Sequence, residues 1–377
     1  MKLILVAGAR PNFIKIAPIC DELKQKKGID YYIFHTGQHY DENMSKTFFD
    51  QLGIPEPDKN INAGSNSHAV QTAEIMIGFE KVLNDYKPDI VIVVGDVNST
   101  LACALVAAKQ NIPVAHVEAG LRSYNWRMPE EINRVLTDRL SQFLFTTCED
   151  ANENLKREGI NPEKIYFVGN VMIDTLLKFK RIPMEHDILQ DLNLNSKNYA
   201  LLTMHRPVNV DSIDNLFDII DALYEVQKQV KVVYPVHPRA RKKIIEFGLE
   251  KKFEEMDNFT MIDPLCYLDF LHLMDNARFV LTDSGGIQEE TTILGIPCIT
   301  LREETERPIT VTEGTNVVVG RDKNKILTEV SKILNGKGKT GRIPTKWDGM
   351  TAQRIVDILI KKQNLFISET KPVSLIY

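Results

Sequence analysis

The feature that most constrains the fold is a repeated alternation of short apolar runs with amphipathic segments along nearly the whole chain. Most of the runs are continuously apolar and rich in Val, Ile and Leu, which is typical of strands buried on both faces of a parallel sheet. The first set of runs is Lys2–Gly8, Tyr31–Gly37, Ile90–Asp96, Pro113–Gly120, Phe143–Asp150 and Ile165–Gly169. The second set is Tyr199–His205, Val230–His237, Phe259–Leu265, Ala277–Asp283, Ile296–Arg302 and Thr315–Gly320.

The segments between the runs, such as Ile14–Lys24 and Ser99–Lys109, have helical periodicity. Repetition of strand, helix and strand predicts an α/β protein with doubly wound sheets. A polar stretch at Asp191–Asn198 separates the two sets of runs, and we place a domain boundary near residue 170. The predicted domains are 1–170 and 171–350, and a C-terminal helix at about 351–377 is expected to pack back on the first domain.

Length and charge narrow the class of protein. A chain of 377 residues is long enough for two cores. The formal net charge of −5 argues against a nucleic-acid partner. No apolar run has the length of a membrane span, and Met1–Gly8 is better interpreted as a first strand than as a signal peptide. The five cysteines are dispersed without a CxxC pair, which favours buried thiols in a reducing cytoplasm and no structural metal.

Polar residues interrupt the sequence where the predicted strands end. Ligands of open parallel sheets bind beyond the carboxyl ends of the strands. Turns and caps would explain any one of these segments, but they explain poorly a run of His, Arg and Glu at so many strand ends. Two such edges facing each other predict a deep cleft. The segments are 8–12, 35–39, 95–100, 116–122, 205–206, 237–239, 283–286 and 302–307.

A candidate diphosphate site follows the run that ends at Asp283. There Gly285 and Gly286 are predicted to turn the chain into a helix, whose first N–H groups carry a partial positive charge of roughly half a unit. Glycines would let a diphosphate approach closely, and Glu290, about one turn further on, could accept hydrogen bonds from ribose hydroxyls. Alone, the Ser-Gly-Gly triplet is more often a plain turn and cap.

The first strand is followed by two cations, Arg10 and Lys15, that could also contact phosphates. The chain lacks a GxGxxG motif after this strand, so a bound dinucleotide cofactor is not supported. It also lacks a GxxxxGK[ST] loop, so ATP hydrolysis is not supported either.

Three carboxylates are candidates for proton transfer. Asp96 and Glu118 come from consecutive strand ends, and Glu130 lies in what we interpret as a following loop. Inversion at a carbon requires a base on one face and proton access on the other, hence typically two acid/base groups. A single Asp or Glu is more often a cap or a surface ion pair, so the hypothesis depends on the three occurring together.

At these motifs the sequence resembles the non-hydrolysing UDP-N-acetylglucosamine 2-epimerase family. The matching segments run in the family's order from residue 8 to about residue 320. They are Gly8-x-Arg10-Pro11-x-x-x-Lys15, Thr36-Gly37-Gln38-His39, Gly95-Asp96, His116-Val117-Glu118-Ala119-Gly120-Leu121-Arg122, Pro129-Glu130-Glu131-x-Asn133-Arg134, Val168-Gly169-Asn170, His205-Arg206, Asp283-Ser284-Gly285-Gly286-x-Gln288-Glu289-Glu290 and Thr305-Glu306-Arg307-Pro308.

The resemblance implies the glycosyltransferase-B architecture, in which two Rossmann-like domains face a cleft, and a homodimer. It implies interconversion of UDP-N-acetylglucosamine and UDP-N-acetylmannosamine, a precursor of surface polysaccharide, without a cofactor or metal. In this family's route UDP is eliminated to leave a 2-acetamidoglucal. UDP is then re-added while a proton is delivered to the other face of C2.

The resemblance also implies roles for individual residues. Asp96, Glu118 and Glu130 would be the acid/base groups, and His205 would lie beside the UDP leaving group. Phe270 and the backbone around Leu265 would lie against uracil. The residues expected to hold the nucleotide are Arg10, Lys15, Ser284, Gly285, Gly286, Glu290 and Arg307.

Two departures from the family pattern affect the expected substrate and regulation. Pro207-Val208 replaces a polar pair with Glu near the sugar, so a UDP-2,3-diacetamido uronic acid is the alternative substrate. Tyr40 and Val70 stand where members that bind a second UDP-sugar as activator carry arginines. We therefore expect weak activator binding.

Three other functions compete with the epimerase. A glycosyltransferase of the same architecture is disfavoured by the three carboxylates. A hydrolysing epimerase is disfavoured by the absence of a kinase domain, and a non-catalytic nucleotide-sugar sensor by the retention of every carboxylate position.

Overall fold

The computed structural model describes residues 1–37, 49, 53–64, 66–183 and 186–363 of the chain. Contacts between Cα atoms divide it into two compact units. The first unit comprises Met1–Thr175 together with the segment that begins at Thr345, and the second comprises Leu176–Pro344.

The first unit contains a sheet in which every pairing of the described strands is parallel. Its strand order is β3-β2-β1-β4-β5-β6-β7. The strands are β1 (Lys2–Ala7), β2 (Asp30–His35), β3 (Lys59–Asn60), β4 (Ile90–Val94), β5 (Val114–Ala119), β6 (Phe143–Thr146) and β7 (Ile165–Phe167). The two neighbours of β1 differ in sequence position, because β2 follows it directly whereas β4 follows after a longer connection.

Helices connect these strands, as parallel pairing requires. They are α1 (Arg10–Lys24), α2 (His68–Tyr86), α3 (Asn98–Lys109), α4 (Pro129–Leu140), α5 (Glu149–Arg157) and α6 (Val171–Phe179), the last of which crosses into the second unit. One face of the sheet packs on α2 and α3 through a buried apolar cluster that includes Val6, Phe34, Phe79 and Val93. Full burial of such side chains contributes roughly 1.5–3 kcal/mol each.

The second unit repeats the plan with strand order β10-β9-β8-β11-β12-β13. All of its described pairings are parallel. The strands are β8 (Tyr199–Thr203), β9 (Lys231–Pro235), β10 (Phe259–Ile262), β11 (Phe279–Thr282), β12 (Cys298–Thr300) and β13 (Asn316–Val318). A buried apolar cluster joins one face of the sheet to the helix at Ile213–Gln227 and includes Leu202, Val232 and Leu281.

The helices of the second unit vary more in length than those of the first. They are α7 (Ile188–Asp191), α8 (Pro207–Val210), α9 (Ile213–Gln227), α10 (Pro238–Glu246), α11 (Glu250–Glu254), α12 (Tyr267–Asn276), α13 (Gly285–Leu294), α14 (Pro308–Thr312) and α15 (Lys323–Leu334).

A last helix, α16 (Thr351–Lys361), belongs to the first unit and packs against α1. The buried carboxylate of Asp174 on α6 accepts a 2.7 Å hydrogen bond from the Ala352 backbone N–H in the first turn of this helix. A side chain distant in sequence therefore satisfies an N–H group at the start of α16.

The fold confirms the predicted α/β class with two doubly wound sheets, and a strand overlaps every predicted run. The runs overestimate strand length at the carboxyl end. Phe143–Asp150 is the clearest case, because β6 ends at Thr146 and Glu149 already begins α5. The two-residue strand β3 was missed because it is short and polar. No helix in the described part of the chain is long and apolar enough to cross a membrane.

Candidate active site

Two of the predicted carboxylates lie at the ends of neighbouring strands of the first sheet. Asp96 follows the end of β4. Glu118 is the penultimate residue of β5, which pairs with β4 in parallel. Glu118 has a φ of 77°, and the register of β5 shifts between Val117 and Ala119. A glutamate in the left-handed region is strained, and such strain tends to occur at functional sites.

Glu118 forms an ion pair with Lys15 of α1, and both side chains are almost fully buried. The turn after β4 lies against this ion pair and favours glycine. A Cβ added to Gly95 would lie 3.0 Å from Lys15 Nζ and 3.5 Å from Glu118 Oε2. Gly95 itself has a φ of 69°. The structure places the ammonium group of Lys15 on an acid/base candidate, and the contact of Lys15 with the nucleotide stays a prediction.

Asp96 is paired with Arg134 of α4, at 2.5 Å between Oδ2 and Nη2. The same guanidinium contacts Glu131 at 2.7 Å between Nη1 and Oε2. Glu131 also accepts hydrogen bonds from the backbone N–H groups of Ser123 and Tyr124, at 2.9 Å and 2.8 Å. Arg134 therefore contacts Glu131, which is fixed by backbone N–H groups, and Asp96 at the same time.

Glu130 lies in the first turn of α4, so the prediction that it belongs to a loop was wrong. Pro129 occupies the first helical position, where its missing N–H costs nothing, and this starts the helix one residue before Glu130. Glu130 is half-buried, whereas Glu131 is buried. A carboxylate in the first turn is favoured by the positive end of the helix dipole.

A buried His116–Asp138 pair connects the two strand ends. His116 Nε2 lies 2.8 Å from the carbonyl oxygen of Gly95, and its Nδ1 lies 2.6 Å from Asp138. Asp138 also accepts a 3.1 Å hydrogen bond from the Gly120 N–H. Burial acts to raise the pKa of Asp138, but His116 and Arg122 outweigh it and the pKa is lowered. This pair therefore stabilises the turn at Gly95, directly before Asp96, and the turn at Gly120, shortly after Glu118.

Arg10 is the first residue of α1 and is half-buried. The turn before it is held by Asn12, whose Oδ1 accepts hydrogen bonds from the N–H groups of Gly8 and Ala9 at 3.0 Å and 2.9 Å. Asn12 Nδ2 donates to the carbonyl of Val94 at 3.2 Å. The start of α1 is thus tied to the end of β4.

In the second unit, His205 follows the end of β8 and Asp283 follows the end of β11. The His205 Nδ1 atom lies 3.2 Å from Asp283 Oδ1. Asp283 has no solvent exposure, whereas the His205 side chain is 36 % exposed. The histidine ring is therefore held at its buried end and presents its other edge to solvent.

Helix α13 begins at Gly285 with Ser284 as its N-cap, so the two glycines form its first turn and not a turn before it. A Cβ added to Gly285 would collide with the guanidinium of Arg307 and lie 2.8 Å from Glu306 Oε1. The absence of a side chain at Gly285 thus lets Arg307 lie directly on the start of this helix.

A cluster of arginines surrounds Glu306. Arg307 Nη1 lies 2.5 Å from Glu306 Oε1, and Arg302 Nη1 lies 2.8 Å from Oε2. The Arg302 contact is an ion pair by distance but lacks the alignment of a hydrogen bond. Arg206 Nη2 is 3.7 Å from Glu306, and Arg307 Nε is 2.9 Å from Glu289. Three guanidinium groups thus converge on two carboxylates, Glu306 and Glu289.

Glu290 of α13 is fully buried and accepts a 2.8 Å hydrogen bond from the Tyr267 hydroxyl. Burial, and secondarily the neighbouring Glu289, raise the pKa of Glu290 to about 7, although the Tyr267 hydrogen bond opposes this. Tyr267 begins α12, which also carries the half-buried Phe270, and Leu265 precedes that helix. The structure thus places Phe270 and Leu265 on one short segment.

Some predicted positions lie elsewhere. Gln38, His39 and Tyr40 are outside the described residues. Val70 is exposed in the first turn of α2. Pro207 and Val208 form the start of the short helix α8, where both side chains are exposed.

Sequence reasoning missed several residues that surround the candidates. The motif segments contained them, but nothing in the sequence indicated which of their side chains point inward. They are His116, Glu131, Arg134, Asp283, Arg206, Arg302, Glu289 and Glu306.

The sequence family described as UDP-N-acetylglucosamine 2-epimerase matches residues 21–360. A UDP-N-acetylglucosamine 2-epimerase homologue of Methanococcus maripaludis is 48 % identical over 88 % of this chain and 92 % of its own. A UDP-2,3-diacetamido-2,3-dideoxy-D-glucuronate 2-epimerase of Pseudomonas aeruginosa is 40 % identical over 96 % of this chain and 100 % of its own.

A similar solved structure is that of the UDP-GlcNAc 2-epimerase of Methanocaldococcus jannaschii, in complex with UDP-GlcNAc and UDP. Its TM-score is 0.89 at 45 % identity, and the match covers 96 % of this chain and all 100 % of that one. The parallel α/β plan of both sheets, the order of the polar strand ends and these similarities lead to one conclusion. The chain belongs to the UDP-N-acetylglucosamine 2-epimerase family.

Proposed function

We propose that this protein interconverts UDP-N-acetylglucosamine and UDP-N-acetylmannosamine by inverting C2 of the sugar. The observation that carries the proposal is the pair of carboxylates at adjacent strand ends, each in contact with a cation: Asp96 with Arg134 and Glu118 with Lys15. The ion pairs hold both carboxylates in fixed positions, and a base must be held against the carbon from which it removes a proton.

The reaction needs at least one base and one acid, and we assign both to the first unit. One carboxylate removes the C2 proton, the C1–O bond breaks, and its electron pair leaves on the diphosphate oxygen of UDP. A protonated carboxyl then delivers a proton to the opposite face of C2 as UDP adds again to C1. Asp96, Glu118 and Glu130 are the groups that we assign to these proton transfers.

The second unit carries the features that suit the nucleotide. The first turn of α13 presents backbone N–H groups beside Arg307, and two further guanidinium groups, those of Arg206 and Arg302, converge with it on Glu306. Negative charge develops on the diphosphate as the C1–O bond breaks, so this arrangement stabilises the leaving group. We assign the uracil contacts to Phe270 and Leu265 and the ribose contact to Glu290.

The remaining features of the proposed enzyme follow from the family resemblance. We propose that it acts without cofactor or metal, as a cytoplasmic homodimer, and that its product supplies surface polysaccharide.

A second candidate is inversion at C2 of a UDP-2,3-diacetamido uronic acid. The exposed Val208 at the start of α8 and the Pseudomonas relative at 40 % identity favour it. This substrate carries a carboxylate at C6 and a second acetamido group at C3, so the two substrates differ at C3 and C6 and not at C2 itself.

An NMR incubation in D₂O without added NAD tests both candidates. We expect deuterium at C2 of the product and of the recovered substrate, with UDP-N-acetylmannosamine formed from UDP-N-acetylglucosamine. Turnover of the uronic acid alone would select the second candidate. Transfer to another molecule would indicate a glycosyltransferase, and release of free sugar with UDP a hydrolysing epimerase. Complete retention of the C2 hydrogen would exclude elimination.

We also propose that the enzyme needs no activator. Val70 offers no charge to a second UDP-sugar, and Tyr40 offers only a phenolic hydroxyl. Loss of two charge-assisted contacts costs several kcal/mol, on the order of a hundredfold or more in affinity. We expect hyperbolic kinetics and turnover of UDP-N-acetylmannosamine alone. A long lag that trace UDP-N-acetylglucosamine abolishes would contradict this.

A further inference from the structure

Asp283 is a buried carboxylate at the carboxyl end of β11 whose hydrogen bonds converge on the start of the segment after β8. It accepts from the His205 backbone N–H at 3.1 Å and 3.0 Å to its two oxygens, and from the Arg206 N–H at 2.9 Å. Asn209 Nδ2 donates to it at 3.1 Å. A carboxylate so surrounded by N–H groups is held in one orientation.

The same carboxylate contacts the imidazole ring of His205. Nδ1 lies 3.2 Å from Asp283 Oδ1, whereas Nε2 has no hydrogen bond to any described residue. The other ring neighbour among the described residues is His237, at 5.3 Å between centroids. The two nitrogens of His205 are therefore in different environments, one committed to Asp283 and one available at the exposed edge.

Asp283 remains ionised in this environment. Burial acts to raise its pKa, but the His205 side chain and the backbone N–H groups of His205 and Arg206 outweigh burial and lower it. An ionised carboxylate only accepts hydrogen bonds, so the ring nitrogen that faces it must carry a hydrogen. Nδ1 of His205 is thus protonated whichever charge state the ring adopts.

We propose that Asp283 is the positioning residue for His205, which it holds with Nδ1–H inward and Nε2 toward the substrate. The inference deepens the proposed function, since it assumes that Nε2 meets the departing diphosphate. When a carboxylate takes the C2 proton and the C1–O bond breaks, the electron pair passes to the diphosphate oxygen. With Nδ1 already protonated, a proton that the ring takes up from water before UDP departs resides on Nε2, from which it donates a hydrogen bond to that oxygen.

A merely structural role is the competing explanation, because Asp283 also connects the ends of β8 and β11. Tyr234 provides a matched control. Its hydroxyl is fully buried in the same unit and donates a 3.1 Å hydrogen bond to the carbonyl of Met204, the residue before His205. Tyr234→Phe removes a buried hydrogen bond at this strand end without touching Asp283 or the imidazole ring.

The first measurement uses the intact wild-type enzyme with ¹⁵N-labelled histidine. Long-range ¹H–¹⁵N spectra report the protonation of each ring nitrogen, and His205→Ala identifies the signals of His205. We expect Nδ1 to be protonated both without ligand and with UDP. A ring protonated only at Nε2 would overturn the proposal. This readout depends neither on turnover nor on the folding of any Asp283 variant.

The second measurement compares steady-state kinetics. Asp283→Asn should lower kcat by about tenfold to a hundredfold with KM changed less than about threefold, since Asp283 does not touch substrate. It should also populate the Nε2–H form of the ring. Tyr234→Phe should change neither kcat nor the ring spectrum, whatever its effect on the melting temperature.

The outcomes distinguish a failure of the positioning role of Asp283 from a failure of the proposed function. If Asp283→Asn retains wild-type kcat while His205→Ala does not, the positioning role is wrong and the proposed function stands. If wild type shows no epimerisation, the proposed function fails, and the tautomer of His205 still decides whether Asp283 orients it.

Discussion

The carboxyl edges of the two sheets use charge in different ways. In the first unit, each of two acid/base candidates lies against a cation from a helix: Glu118 against Lys15, and Asp96 against Arg134, which also contacts Glu131. In the second, the three arginines Arg206, Arg302 and Arg307 converge on Glu306 and Glu289. Ion pairs hold the carboxylates of the first unit in fixed positions for proton transfer, whereas converging guanidinium groups suit a bound diphosphate. The same fold thus carries two kinds of site.

The comparison predicts that carboxylates of the first unit govern the rate and not nucleotide binding. Asp96→Asn, Glu118→Gln and Glu130→Gln should each lower kcat by at least about a hundredfold, the usual scale of acid/base loss. UDP affinity by calorimetry should change little. Glu153→Gln, at an exposed surface ion pair, is the control and should leave both quantities unchanged. Near-normal turnover in any one variant would remove that residue from the mechanism.

The arginine cluster of the second unit, in contrast, is expected to govern nucleotide binding. Arg307→Ala should weaken UDP binding by roughly tenfold to a hundredfold, the equivalent of a charge-assisted contact of about 1.5–3 kcal/mol. Arg307→Lys should lose less, because it keeps the charge but not the planar fork. Arg241→Ala, which breaks an exposed pair with Asp263, is the control in the same unit. Unchanged affinity of Arg307→Ala in calorimetry would place Arg307 outside the nucleotide site.

A smaller effect is expected from Glu290, whose pKa is raised to about 7 by burial. The ionised carboxylate accepts two hydrogen bonds from a ribose diol, so UDP affinity should rise by up to about tenfold between pH 6 and pH 8. Glu290→Gln should flatten this rise. The phosphates of UDP titrate equally in both proteins, so the difference between them isolates Glu290. Parallel pH profiles for the two proteins would show that Glu290 does not bind ribose in its ionised form.

The smallest expected effect is on the free energy of unfolding. It comes from a residue of α6, outside the carboxyl edges of the two sheets. Burial raises the pKa of Asp174 from its ordinary value of 3.8 to about 6. A raised pKa in the folded state means that its contribution to stability is present below pH 4 and is lost as pH rises through about 6. The stability of Asp174→Asn relative to wild type should therefore increase over that range and then level off. Denaturant unfolding at several pH values measures this, and a constant difference would contradict it.

The sequence alone was sufficient for the larger features. Continuous apolar runs predicted the parallel strands, because only strands covered on both faces can afford them. The carboxyl ends of parallel strands lie at one edge of a sheet, so the polar segments predicted from the sequence alone which edges carry the candidate site. The family motifs then assigned a chemistry to those edges.

Local boundaries could not be predicted in the same way. Glu130 was expected in a loop and lies in α4, and Gly285 was expected in a turn and begins α13. In both cases the start of a helix depends on the backbone angles and N–H partners of its first turn, which residue type constrains only weakly.

What the sequence determined by itself is therefore the class of fold, the edges that carry function and the residue types found there. Only the tertiary structure decided the partners: that Lys15 pairs with Glu118, that Arg134 connects Asp96 to Glu131, and that Asp283 holds His205. The physical reason is that hydrophobic periodicity is local along the chain and can be read from one segment. An ion pair between residues over a hundred positions apart, such as Lys15 and Glu118, instead depends on how separate strands and helices are brought together.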